Sequence, residues 1–226
     1  MIGSDNSTPY KAETYDQQVH NTLPYYDFFH DETLNIIRGA RISPKYWLDT
    51  GCGTGTLVKK ALVQFPNTKF VLADPSSFML KVSQKKLKDY SNVEFIEAST
   101  ENIYDLKTRF DVITAIQSHH YSSIEERQKA TQICYNLLQQ NGIYITFENT
   151  RPLTQLGTEI GKENWKNWQI KNGKDPATAE AHMKRFATEY YPITIEEHLE
   201  LLRRTGFKSV ELLWYSYLQA GFYSIK

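Results

Sequence analysis

Two carboxylates and three alternating glycines are the residues of this chain best suited to hold a ligand. The run Trp47-Leu48-Asp49-Thr50-Gly51-Cys52-Gly53-Thr54-Gly55-Thr56-Leu57 ends an apolar stretch in an acid and follows it with glycines at every second position. A strand that stops at such a turn and leads into a helix delivers backbone N–H groups and a helix N-terminus to one point, where a polar ligand can be held. Glycine suits the turn because a Cβ would block positive φ and keep the ligand off the backbone. Dinucleotide-binding folds use G-x-G-x-x-G with a pyrophosphate at the helix start. Here the third glycine comes one residue early and an acid precedes the turn, which disfavours a dehydrogenase and suits a ligand carrying an amine. A second acid, Asp74, closes the apolar run Phe70-Val71-Leu72-Ala73 and lies 25 residues after Asp49, a distance that fits one helix and one strand.

Alternating units carry these acids. Strand Tyr46–Thr50 precedes helix Thr56–Phe65, and strand Lys69–Asp74 precedes helix Ser77–Asp89. Strands Val93–Glu97 and Phe110–Ile116 follow, then a helix opened by the capping box Ser123-Ile124-Glu125-Glu126 and running to about Gln140. Asn141-Gly142 is expected to end that helix before a fifth strand, Ile143–Glu148. Repeated strand–helix units imply right-handed crossovers and a parallel, doubly wound sheet. Residues 1–9 are polar and expected to fray, and 10–42 read as a short helix, a break at Pro24 and a longer helix from Tyr25 to Ala40. Residues 151–191 show no strand pattern and read as two helices placed above the sheet. Thr194 and Glu197 box the start of another helix that Gly206 ends, and two final strands, Val210–Trp214 and Tyr217–Ile225, complete the chain, the last antiparallel. The expected architecture is α/β: a doubly wound, Rossmann-like, seven-stranded sheet, mostly parallel, with a helical lid. Four parts are expected: an N-terminal helical lid (1–43), the core (44–150), a helical insert over the active site (151–192) and completion of the sheet (193–226).

The glycine turn resembles the first motif of class I S-adenosylmethionine (SAM)-dependent methyltransferases, and the element order of residues 44 to 226 is that of the family. The resemblance implies a site for SAM, with S-adenosylhomocysteine as product. In it Asp49 stands near the methionine amino group. Gly51, Cys52 and Gly53 let the methionine end lie against the turn, and Gly55 admits the helix. Asp74 takes the ribose hydroxyls, as an acid ending the second strand of an open α/β sheet commonly does. Pro75 and Ser76 flank the adenine, and Ala98 and Ser99 meet its edge, with serine where the family often has an acid. Gln117 lies under the sulfonium. Methyl transfer from a sulfonium requires the protein mainly to align the nucleophile and exclude water.

The acceptor side is less marked. The run Gln117-Ser118-His119-His120-Tyr121 falls at the mouth of the sheet, where His119 and His120 are candidate bases, one expected to be packed and the other exposed to the cleft. Glu148 could take a proton, bind a cation or serve as a structural carboxylate. Tyr15, Tyr25, Tyr26, Trp165, Trp168, Tyr190 and Tyr191 are candidates for an aromatic lid over a small organic substrate. A narrower resemblance concerns Lys184-Arg185-Phe186-Ala187-Thr188-Glu189, with Thr194 and Thr205-Gly206-Phe207, which are similar in spacing to carboxy-SAM synthases. In those enzymes an arginine in this segment binds the cofactor's extra carboxylate, and Arg185 falls there; they depart, however, from the Gly-x-Gly kept here as Gly53-Thr54-Gly55. The readings to separate are a small-molecule methyltransferase, a carboxy-SAM synthase-like enzyme and a catalytically silent SAM-binding module.

Composition narrows the partners. With 226 residues, 40% hydrophobic, the chain can bury a substantial core. Its 26 basic and 26 acidic residues leave no electrostatic footprint for nucleic acid. The basic run Lys81 to Lys88 reads as a solvated helix face. Cys52 and Cys134 are too few and too separated for a structural disulfide, so a reducing, cytoplasmic setting is expected. No run approaches the roughly 18 apolar residues of a membrane span, and no H-x-x-x-H or C-x-x-C spacing suggests a metal. Oligomeric state stays open, with a homodimer among the options.

Overall fold

The computed structural model describes residues 8, 10–104 and 106–226. The polar start expected to fray therefore lies outside the described residues, Thr8 excepted. Among those described, seven strands form one sheet: β1 (Tyr46–Thr50), β2 (Lys69–Asp74), β3 (Val93–Glu97), β4 (Phe110–Ile116), β5 (Leu138–Asn149), β6 (Ser209–Ser216) and β7 (Gln219–Ile225). Their order is β3-β2-β1-β4-β5-β7-β6, with β7 antiparallel to both its neighbours and every other pairing parallel. The order reverses between β1 and β4, so the loops leaving those two strands part and open a crevice at their carboxyl ends.

Both faces of the sheet are buried, which the near-continuous apolar strands require. Trp47, Phe70, Val112 and Ile143 pack on one side with Phe29 and Ile37 of α2 (Tyr26–Gly39) and with Leu57 and Val58 of α3 (Thr56–Gln64). Their sequence neighbours Leu48, Val71, Ile113 and Tyr144 point to the opposite side and meet Cys134 of α5 (Ile124–Leu137) and Leu202 of α8 (Ile195–Thr205). The period-two alternation of side chains in a strand accounts for the split. Ser76 caps α4 (Ser77–Lys86), and Ser123 and Thr194 each form a complete capping box with Glu126 and Glu197. No helix among the described residues is long and apolar enough to cross a membrane.

Two expectations need correction. Asn141-Gly142 does not end α5. That helix stops at Leu137, and Leu138 already pairs with Phe110 across the sheet, so Asn141, at φ 63, is a kink within β5. Lys226 supplies the terminator, its Nζ donating to the carbonyls of Tyr135 at 2.6 Å and Leu138 at 2.8 Å. Residues 151–192 do form two helices, α6 (Gln155–Lys171) and α7 (Pro176–Lys184). They pack sideways against the N-terminal segment: buried Trp165 donates its indole N–H to the Thr22 carbonyl at 2.7 Å.

Candidate active site

A cavity of about 280 Å³ opens at the carboxyl ends of β1, β2 and β4. The glycine turn forms one wall. Gly51 and Gly53 both sit at positive φ, and nothing lies within 4 Å of the place a Gly53 Cβ would take, so bare backbone faces open space. A Cβ on Gly51 would stand 2.3 Å from that of Ser118, which lines the cavity from the loop after β4. Gly55 serves packing instead. A Cβ there would meet Ser83 Oγ of α4 at 2.3 Å, so this glycine lets α3 lie against α4.

Both acids reach the cavity. Asp74 accepts the Gly53 N–H at 2.8 Å and the Ser76 N–H at 2.9 Å, so one carboxylate ties the turn to the start of α4. Asp49, 3% exposed, accepts the Thr114 hydroxyl at 2.6 Å. Burial, reinforced by the nearby Asp74, pushes the Asp49 carboxyl up to about 7 against the opposing Thr114 bond. Such a group is primed to be ionised by an incoming cation. Cys52, Pro75, Ser76, Ser99 and Gln117 also line the space, whereas Ala98 does not; it packs into the apolar layer beneath. Ser99 hydrogen-bonds Glu101, so an acid stands beside the position where the family often carries one. Gln117 is held at φ 57 while its N–H donates to the Phe147 carbonyl at 2.6 Å, and this left-handed kink turns the loop after β4 across the cavity.

Both histidines are buried, one at the cavity and one behind it, and their roles differ. His119 lines the cavity, with Nε2 2.9 Å from Thr100 Oγ1 and Nδ1 3.2 Å from the Tyr144 hydroxyl. Burial lowers its affinity for a proton, so the ring is neutral at physiological pH. His120 stands behind the cavity, its Nδ1 2.8 Å from Glu148 Oε2. Glu148 also accepts the N–H groups of His119 and His120, at 3.2 and 2.8 Å, and the Thr146 hydroxyl at 2.7 Å. Burial works against its charge, but the His120 contact outweighs it and holds the carboxyl below its ordinary range. Glu148 thus fastens the His119-His120 loop and does not line the cavity.

The expected aromatic wall divides. Tyr15 and Tyr26 line the cavity, joined by Tyr121, and burial raises all three phenols so that they stay protonated. Tyr25 turns outward at 48% exposure against Trp214 and Tyr217. Trp165, Trp168, Tyr190 and Tyr191 stand outside the lining: Trp165 is buried against the N-terminal segment, Trp168 meets Tyr217, Tyr190 packs on His120, and Tyr191 is exposed. Arg185 is outside it too; its Nε donates to Glu189 at 2.6 Å and its guanidinium lies 6.0 Å from the Tyr190 ring. Sequence reasoning missed His30, Thr54, Thr56, Thr100 and Glu101 in the lining. It also misread Lys86. This residue leaves the solvated face of its run and donates to Asp16 at 2.7 Å, to Thr54 at 3.0 Å and to Thr56 at 2.7 Å, clasping the N-terminal segment to the start of α3.

A doubly wound sheet with this strand order, a glycine turn after β1 and an acid at the end of β2 defines a nucleoside-binding α/β enzyme fold. Residues 48–144 match a family model described as a methyltransferase domain. A carboxy-S-adenosyl-L-methionine synthase of Staphylococcus epidermidis is 23% identical over 91% of this chain and 89% of its own. A ubiquinone/menaquinone biosynthesis C-methyltransferase of Campylobacter jejuni is 29% identical over 75% of this chain and 73% of its own. Among solved structures, a SAM-dependent methyltransferase of Clostridium acetobutylicum superposes with a TM-score of 0.66 at 14% identity, covering 95% of this chain and 96% of that one. Human N-acetylserotonin methyltransferase in complex with SAM gives 0.60 at 12% identity, and the match covers 98% of this chain and 60% of that one. Residues 48–144 thus match a methyltransferase domain, and the fold of the chain is the one these SAM-dependent methyltransferases share.

Proposed function

We propose that this protein transfers a methyl group from SAM to a small organic acceptor. The observation that carries the reading is the charge of the cavity. Asp49, Asp74, Glu101 and Glu126 line it, and among the described residues no lysine or arginine does. A space walled by carboxylates and three phenols suits a ligand bearing both a sulfonium and an ammonium. Bound there, SAM supplies an electrophilic methyl on a positively charged sulfur.

In this reading Asp49 takes the ammonium, Gly51 to Gly53 carry the methionine chain and Asp74 takes the ribose. Pro75, Ser76 and Ser99 border the adenine, and Gln117 lies below the sulfur. Tyr15 and Tyr121 wall the acceptor and exclude water, and neutral His119 is the group available to receive its proton. The lid belongs to the N-terminal segment, which Lys86 and Asp16 hold across the opening, rather than to residues 151–192. Cys52 and Cys134, both free thiols, fit a reducing compartment such as the cytoplasm.

The same observation weighs against a carboxy-SAM synthase, whose ligand carries a further carboxylate: Arg185 does not reach the lining. Mass spectrometry of the ligand co-purified with the protein separates the two. Calorimetric titration with SAM, followed by a turnover assay over an acceptor panel, tests the main reading. Binding without turnover on any acceptor would leave a SAM-binding module, and no binding at millimolar SAM would overturn the reading altogether.

A further inference from the structure

His119 borders a second, much smaller void of about 10 Å³, the room of a single water. Two other side chains around it keep a buried polar atom without a hydrogen-bond partner among the described residues: Arg127 Nη1 and His198 Nε2. Arg127 is 2% exposed and His198 4%. An unpaired polar atom in the interior is costly, so two beside one void point to a ligand between them. A guanidinium can only donate to it. Burial holds the His198 ring neutral, so that ring offers one accepting nitrogen. Tyr144 and Glu148 complete the polar wall.

The void adjoins the hydrogen bonds that decide where His119 carries its hydrogen. The Tyr144 hydroxyl stands 3.2 Å from Nδ1. At the other end of the ring Nε2 lies 2.9 Å from Oγ1 of Thr100, a residue that lines the active-site cavity and stands 2.6 Å from the Thr50 hydroxyl. A neutral imidazole has one N–H and one bare nitrogen, so these two neighbours are matched in opposite senses. If Tyr144 donates to Nδ1, Nε2 carries the hydrogen and can take no proton from the cavity side. If Tyr144 accepts from Nδ1–H, Nε2 is bare and accepts from Thr100. The Tyr144 hydroxyl hydrogen then needs another partner, and the void lies beside it. A water there accepts from Arg127 Nη1, turns its own hydrogens to His198 Nε2 and the Glu148 carboxylate, and keeps a lone pair for Tyr144.

We propose that this void binds one water and that, through it, Tyr144 holds His119 in the tautomer whose Nε2 accepts a proton relayed by Thr100. Tyr144 is thus a positioning residue. The use of the proton rests on the proposed methyl transfer. There the acceptor's hydrogen passes to Thr100 Oγ1 as the hydroxyl hydrogen of Thr100 passes to Nε2, and the ring gains the positive charge that the sulfonium gives up with its methyl. The arrangement itself is tested without turnover. In protein labelled with ¹⁵N-histidine, NMR reads which ring nitrogen of His119 carries the hydrogen, its signals assigned by their loss in His119→Gln. The wild type is expected to show protonated Nδ1 and bare Nε2. Tyr144→Phe removes only the hydroxyl, keeps the ring stacked on Phe207 at 5.8 Å and should move the hydrogen to Nε2. Its SAM binding in calorimetry should be unchanged, because Tyr144 does not line the active-site cavity. A high-resolution crystal structure of the wild type should show one ordered water within hydrogen-bond reach of Arg127 Nη1 and the Tyr144 hydroxyl. A hydrogen on Nε2 in the wild type, a tautomer unmoved in folded Tyr144→Phe, or a dry void overturns the assignment. A wild type that does not bind SAM overturns the cofactor reading instead.

Discussion

Replacing Asp49 by asparagine should make the ligand-free protein more stable and a worse binder of SAM. The Asp49 carboxyl is raised from its ordinary 3.8 to about 7 by burial and by Asp74. A carboxyl whose folded pKa is raised favours the folded state while protonated, and that contribution is lost as pH climbs from the unfolded value through the folded one. About three units at 1.36 kcal/mol each make the ionised group cost about 4 kcal/mol at pH 8 and under about 2 kcal/mol at pH 5. Asparagine is isosteric, keeps an oxygen for the Thr114 hydroxyl and does not titrate. Its stability advantage in urea unfolding should therefore grow by about 2–3 kcal/mol between pH 5 and pH 8. Binding should show the mirror image. Below pH 7 the ammonium of SAM must expel a proton from Asp49, so the wild-type dissociation constant should rise about tenfold per pH unit there, while that of Asp49→Asn stays flat. A stability difference independent of pH, or a flat wild-type binding profile, would refute the reasoning.

Asp74→Ala should weaken SAM by the roughly 1.5–3 kcal/mol of a charged hydrogen bond, and an unaltered dissociation constant in calorimetry would move the ribose elsewhere. Glu148→Gln should destabilise the fold by about 3 kcal/mol at pH 7, because a carboxylate holding two backbone N–H groups and His120 is lost from the interior. Its folded pKa is depressed, so the wild-type advantage is present above the ordinary glutamate value of 4.5 and fades as pH falls through the folded one; urea unfolding that shows the same loss at pH 7 and pH 3 would contradict this. Lys86→Met should release the clasp on Asp16 and speed proteolytic cleavage between Tyr10 and Gln18, with SAM slowing it in the wild type. Cleavage unchanged by either would remove the N-terminal lid.

The parts of the candidate site visible in the sequence are those where the backbone itself forms the cavity wall. Alternating glycines, an acid at each strand end and the period of the apolar runs are local signals, and they located the turn, the sheet and Asp49 and Asp74 without any contact being known. Side chains that enter the cavity from far along the chain leave no such mark. His30 is one of several polar residues on an amphipathic helix, and only the docking of α2 against α3 turns it inward. Lys86 sits in a run of lysines whose spacing suggests solvent, and only the return of Asp16, 70 residues earlier, gives it a partner. The aromatics of 151–191 misled for the opposite reason: their abundance signalled burial but not which surface they bury against. Trp165 spends its ring on the core and its N–H on the Thr22 carbonyl, leaving nothing for the cavity. Of the aromatics expected to form a lid, Tyr15 and Tyr26 line the cavity, and both come from the N-terminal segment. On the proposed function, a change of acceptor should require changes before residue 40 rather than in residues 151–191, and an acceptor panel run on variants of both segments checks this.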